Sequence, residues 1–495
     1  MPLSKPFLAL GVAGLAIAFA QLPPAAAVNY PRLVDLNVVA FDGKDRPVED
    51  LSAGDFQVTD NGKPQPILFF RHNDKRLEGP QESGPRVFTN RPAGRPAHAT
   101  AILLDFLNES FAAGGTAQEE VLKVLSRVES GEEVYLYFLT RDGRLYPVRG
   151  IPTAEGELPA GGPDWTAHAR PIVEAAIKET FGLRTLNMTI VERVALTYAG
   201  LEVLARKLGA VPGRKSLVWI THGLPISVRD AAGEYIDFQP YLRELSATFT
   251  RFNAAIYPVM QVPPGMAMAG SEEAQYSGMG SRETLSQFAE LTGGRSKGEI
   301  DIGVVVRQAI SDTRTSYQLG YRPPESNWDG KYHKIKVTCV RKGVKTQAKS
   351  GYYAAEGQKP EAQETIDALI QGAGNGAEIG LTVRATPDAA NPGRVRLDAH
   401  IDARDISLIR DGDRYVGGLR IAIAAYDQSG RGQAGAVVPI ELKLTAAERD
   451  EVLKSGIPYT RDVQLGAPVK EVRLVVADAV LGAAGSVTMP AEKLR

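Results

Sequence analysis

Apolar and polar positions alternate along this chain in two distinct ways. The first is the uncharged run Thr100-Ala-Ile-Leu-Leu-Asp105, which ends on a carboxylate and predicts a strand buried on both faces. Val134–Leu139, Ser216–Thr221 and Ala254–Met260 repeat that pattern. Between them lie helical stripes: Val121, Val124, Leu125 and Val128; a start at Pro171–Lys178; a longer run from Ile190 to Leu208; and Leu242, Leu245, Phe249 and Phe252. Ser281 is read as the cap of a helix that ends at Gly293-Gly294, Ile302–Ile310 as the last helix and Tyr317–Tyr321 as the last strand. Strand and helix alternating in this way predict an α/β doubly wound, mainly parallel sheet with helices on both faces. Such sheets bind ligands beyond the carboxyl ends of their strands, so Asp105 marks the candidate site.

The second kind is period-two alternation, which predicts all-β sandwich domains on both flanks. Residues 28–75 carry β-rich runs broken by Asp42-Gly43 and Asn61-Gly62 turns, and 326–355 reads as a hairpin. Each piece is too small to bury a core alone. The two are therefore expected to pair as one sandwich, with 99–325 inserted between them. Residues 378–495 show seven short strand patterns and a helical insert at Thr445–Ser455, which predicts a second sandwich. Residues 76–98 and 356–377 read as linkers, and Val262–Gly280 as a mobile Gly/Met-rich loop.

Composition narrows the function. In 495 residues, 57 basic and 58 acidic side chains nearly cancel, which argues against a nucleic-acid partner. The uncharged run Phe7–Ala20 followed by Ala25-Ala26-Ala27 reads as a signal peptide over 1–27. The expected location is extracytoplasmic, periplasmic or secreted, without a membrane span. Cys339, the one cysteine, lies in an alternating strand pattern and is expected to be a buried thiol without a disulfide. No HExxH or GxxxxGK[ST] motif occurs, and His72, His98, His168, His333 and His400 keep no ligand spacing.

Several segments in combination are specific. They include Glu49-Asp-Leu-Ser-Ala-Gly-Asp55-Phe56, Asn61-Gly62-Lys63, Ala101-Ile-Leu-Leu-Asp105-Phe-Leu107-Asn108 and Pro212-Gly-Arg-Lys215 through Trp219-Ile-Thr-His-Gly223. Asn253 to Pro258, Leu291-Thr-Gly-Gly294, Ser316-Tyr317 to Pro323 and Ser350-Gly-Tyr-Tyr353 follow in order. Over roughly residues 32–355 the chain resembles the secreted bacterial, acidobacterial-type proteins related to von Willebrand factor A (VWFA) domains. The resemblance implies an edge derived from a metal-ion-dependent adhesion site: Asp-x-Ser-x-Ser, a Thr and a further Asp, all hard oxygen ligands suited to Mg²⁺. Here Asp105 holds the first place, Leu107 and Glu109 stand for the serines, Thr197 matches the Thr, and His222 replaces the Asp. Asn108 and Ser110 are the nearby oxygen donors. Leu107 offers no ligand and imidazole is softer than Mg²⁺ prefers, so the site is expected to be degenerate, with no cofactor. The expected function is a non-enzymatic adhesion module with an unidentified protein partner. The alternatives are a structural or assembly component of the cell envelope and a metal-dependent hydrolase at Asp105 and His222.

Overall fold

The computed structural model describes residues 33–73, 84–91, 98–108, 114–128, 132–152, 165–181, 188–229, 232–261, 279–295, 301–324, 328–354, 361–371, 376–466 and 469–495. The predicted signal peptide and residues 262–278 of the predicted mobile loop lie outside them.

The N-terminal body is a pair of antiparallel sheets. In one, Val34–Phe41 lies between Lys345–Gln347 and Ser316–Tyr321, and Ser316–Tyr321 also pairs with Ile67–Asn73. In the other, Tyr332–Cys339 pairs with Gly351–Tyr353 and Phe56–Asp60, which turns into Lys63–Gln65. That turn uses Asn61 and Gly62 at φ 46 and 79, the left-handed region a tight hairpin requires. Leu36, Val38, Phe56, Val58, Tyr317, Leu319, Tyr321 and Ile335 fill the space between the sheets. Cys339 is a free, partly buried thiol packed against this core.

One polar cluster is sealed inside this body. Asp60 is 1% exposed and accepts from the Tyr321 hydroxyl at 2.9 Å and the Tyr352 hydroxyl at 3.2 Å. His333 Nδ1 lies 3.0 Å from its other oxygen, and His333 Nε2 lies 3.2 Å from Asp329. A buried carboxylate is tolerated when its lone pairs are met in this way. The cluster ties together strands that are far apart in sequence.

The central body is a mixed sheet in the order Ala254–Met260, Lys215–Thr221, Ala99–Asp105, Val134–Leu139 and Leu145–Arg149. The first four strands are parallel and the last is antiparallel. Helices Ile190–Leu208, Gln239–Arg251 and Met279–Thr292 share one core with Leu103, Trp219 and Ile256. Helices Gly114–Leu125, Ala169–Phe181 and Ile302–Arg314 share another with Ile102, Leu104 and Val218. Alternate strand residues thus serve opposite faces. Helix Met279–Thr292 ends at Gly293, φ 79, and Gly294 lies against the Ile256 carbonyl, where an added Cβ would sit at 1.9 Å.

The expected fold class is corrected by these pairings. Parallel pairing is confined to four strands of one mixed sheet, and every other pairing among the described strands is antiparallel. An α/β doubly wound, mainly parallel sheet therefore does not describe the chain. Uncharged runs report burial on both faces but not the direction of the neighbouring strand. Ser316–Tyr321, read as the last strand of the alternating region, is an antiparallel strand of the N-terminal body. Leu145–Arg149 turns back across Asp142-Gly143, with Gly143 at φ 79, and so runs antiparallel.

The C-terminal body packs the sheet Ile457–Gln464, Arg394–Ile401, Leu381–Pro387, Val87–Thr89 against a second sheet. That sheet is built on Arg414–Tyr426, Glu471–Asp478 and Ala484–Pro490. Both segments read as linkers carry structure. Val87–Thr89 adds a strand to Leu381–Pro387. Helix Glu361–Gln371 lays Ile366, Leu369 and Ile370 on Ala422, Ala424, Val475 and Ala477. Asn90 then locks the first of these in place: its amide donates to the Gly376 and Ile379 carbonyls and its oxygen accepts from Leu381 N. Among the described residues no helix is long and apolar enough to cross a membrane.

Tyr321→Phe is expected to lower stability by about 2 kcal/mol, because it strips a donor from a buried carboxylate. Tyr146→Phe, which removes a solvent-exposed bond to Glu179, should cost less than about 0.5 kcal/mol. Denaturant unfolding of the two variants makes the comparison, and equal losses would refute the weight given to the Asp60 cluster.

Candidate functional site

Two features bring Asp105 and its neighbours together. Residues 101, 103 and 105 of the central strand face the same side, towards helix Ile190–Leu208. That helix is started by a capping box: Thr189 Oγ1 accepts from Glu192 N at 3.2 Å, and the Glu192 carboxylate accepts from Thr189 N at 2.8 Å. The box sets the helix so that Thr197 is fully buried above the strand end.

Asp105 is 3% exposed, and both of its oxygens are engaged by protein donors. Oδ1 accepts from Asn108 N at 3.1 Å. Oδ2 accepts from Asn108 Nδ2 at 2.8 Å, Thr221 Oγ1 at 2.8 Å and Trp219 Nε1 at 3.2 Å. The second Asn108 amide hydrogen goes to Thr197 Oγ1 at 2.8 Å, and Thr197 passes its own hydrogen to the Arg193 carbonyl, also at 2.8 Å. A carboxylate accepts only, so the orientation of the Asn108 amide follows from its partner. Burial pushes the Asp105 pKa up, while the bonds from Asn108, Thr221 and Trp219 act against that shift.

This arrangement does not fit a hard cation. A metal bridging Asp105 and Thr197 needs lone pairs aimed at a common point. Here the amide group of Asn108 stands between those two oxygens and donates to both. It supplies partial positive charge in the region where the resemblance implies an ion. His222 is not among Asp105's partners. It is half-buried, its Nε2 has no hydrogen-bond partner among the described residues, and burial holds its pKa below the usual histidine value. Glu109 and Ser110 lie outside the described residues. Among the described residues, no group of three or more His, Cys, Asp or Glu side chains is placed to hold a metal.

Sequence reasoning named Asp105, Asn108 and Thr197, which the structure brings together, but missed Trp219 and Thr221. The signal for these two was strand alternation: Leu103 lies opposite Trp219, which puts Thr221 beside Asp105 on the same face. A scan against protein-family models and a search of curated proteins found no match to this chain. The family likeness therefore rests on the quoted residues.

Asp105→Ala leaves four donors without their acceptor and is expected to cost about 3 kcal/mol, read as a lower unfolding midpoint. His222 gives a pH test. Its folded pKa is depressed below the ordinary histidine value of 6.5. The unfolded chain therefore binds more protons in the window between the two values, and stability falls as pH drops through it. His222→Gln should remove that loss, so the wild type should weaken relative to the variant as pH falls below about 6.5. A difference that stays constant from neutral pH to pH 5 would contradict the assignment.

Proposed function

We propose that this chain is an extracytoplasmic, non-enzymatic module that binds another protein. The observation that carries the reading is an exposed tyrosine and arginine surface beside the Asp105 edge. Strand Lys215–Thr221 leads into a hairpin of Ser227–Arg229 and Tyr235–Asp237, then into helix Gln239–Arg251. Tyr235 is 67% exposed and Tyr241 is 56% exposed. Both are held in place. The Arg229 guanidinium lies 4.5 Å from the Tyr235 ring centroid and donates to its hydroxyl at 2.8 Å. The Tyr241 ring lies 6.2 Å from that of Tyr198 and 6.0 Å from that of Phe238. Restrained aromatic and arginine side chains are the residue types that dominate protein interfaces, because they bury large areas at small entropic cost.

The chemistry of the Asp105 edge supports the same reading. Among the described residues both carboxylate oxygens are met by protein donors, and these bonds hold the strand ends that present the hairpin. The signal-peptide pattern at 1–27 supports an extracytoplasmic location.

The test is affinity capture from envelope extracts with wild type and with a Tyr235→Ala/Tyr241→Ala variant, followed by binding measurements on the captured protein. Each anchor is expected to contribute about 2 kcal/mol, near thirtyfold in Kd. Equal binding by the variant would overturn the surface assignment. Self-association in sedimentation, lost in the variant, would make the partner a second copy of the chain.

A further inference from the structure

A second site involves different side chains, although its wall and the tyrosine surface share helix Gln239–Arg251. The three bodies enclose a cleft of about 900 Å³, within the size range of ligand pockets. We propose that this cleft binds an acidic peptide segment of a partner protein.

Its charges are unevenly matched. Arg71, from the N-terminal body, donates only to neutral acceptors: the Gln318 side chain and, at 3.0 Å, the Arg404 carbonyl. Its Nε has no partner. Arg243, on helix Gln239–Arg251, is exposed, and its guanidinium lies 4.1 Å from the Tyr353 ring centroid. Neither has a carboxylate partner among the described residues. The acids of the wall are mostly engaged already: Asp405 with Arg91 at 2.8 Å, Glu202 with Arg206 at 2.7 Å, Glu378 with Lys215, and Asp35 with the Gln318 amide at 3.0 Å. Glu244 is the exception. Nine Arg and Lys side chains line the cleft against five Asp and Glu, so the wall carries net positive charge.

The wall also holds unmet polar atoms. Ser246 is 3% exposed, lines the cleft, and its Oγ has no hydrogen-bond partner. Asn37 Oδ1 and Asn253 Oδ1, also on the wall, are buried acceptors without donors. These atoms are closed to solvent, so the ligand is set by the charge and size of the cleft. A bare anion satisfies guanidinium groups but leaves most of a cleft of about 900 Å³ unfilled. An extended peptide fills such a volume, and its Asp or Glu side chains bring the carboxylates. Charge and size together select an acidic peptide over a small anion.

The test is isothermal titration of the full chain with hexaglutamate, hexaglutamine and inorganic phosphate, at low and high salt. Hexaglutamate should bind, hexaglutamine should bind at least about tenfold more weakly, and high salt should weaken the complex. Arg71→Gln and Arg243→Gln should each reduce hexaglutamate affinity by about tenfold, while Arg431→Gln, a highly exposed position, should leave it unchanged. Arg243 is exposed, so its variant should fold even if Arg71→Gln does not. No binding of hexaglutamate, equal binding of hexaglutamine, or wild-type affinity in the Arg243 variant would each overturn the proposal. Binding of phosphate without the peptide would overturn it as well.

Discussion

The strand Ser316–Tyr321 is the constraint on which the rest of the molecule depends. It lies between Val34–Phe41 and Ile67–Asn73, so the N-terminal sheet closes only after the chain has traversed the central body and come back. Closing so long an excursion is entropically unfavourable, and buried contacts must offset it. Tyr317, Leu319 and Tyr321 supply apolar burial, and the Asp60 cluster joins Tyr321 to Tyr352 and His333. On the central side, Arg295 grips the buried Asp312 with two bonds, at 2.9 and 2.6 Å, and its guanidinium lies 4.0 Å from the Phe41 ring of the N-terminal body. Because Asp312 belongs to the helix that runs into Ser316–Tyr321, the inserted strand and this pair hold the same junction.

The third body is tied in by the same logic. After Asn73 the chain reaches the C-terminal sandwich, where Val87–Thr89 becomes its edge strand and Arg91 bonds to Asp405 and the Ala377 and Glu378 carbonyls. It then enters the central sheet at Ala99. Buried Lys215, at the start of a central strand, meets Glu378 of the C-terminal body. Three bodies cross-connected in this way present a rigid scaffold, and a rigid scaffold suits surfaces that recognise without rearranging.

Much of this was legible in the sequence, and what was not has identifiable causes. The uncharged runs located the four parallel strands, because burial on both faces leaves no place for charge. The same criterion misassigned Ser316–Tyr321, which is also buried throughout although its neighbours are antiparallel. A three-residue strand such as Val87–Thr89 has too few positions to show a period. Helix Glu361–Gln371 was hidden by polar, Gly-rich flanks, since only its sandwich-facing stripe is apolar. At the candidate site, residue types gave Asp105, Asn108 and Thr197, but not which atoms donate. An Asn beside an Asp reads equally as a second oxygen ligand or as a donor to the carboxylate, and the donor role depends on a Thr 89 positions away. The cleft was not legible at all, because Arg71 meets the helix of Arg243 and Ser246 only when the bodies assemble.

The Asn108 amide, not an ion, bridges Asp105 and Thr197 at this edge. The most direct measurement is thermal unfolding of the wild type and of Thr197→Val in chelator and across a Mg²⁺ titration. The wild-type midpoint should be the same at every ion concentration. An ion bound at 100 times its Kd would add about 2.7 kcal/mol, a shift readily seen. A wild-type midpoint that climbs with Mg²⁺, and does not climb in Thr197→Val, would contradict the account.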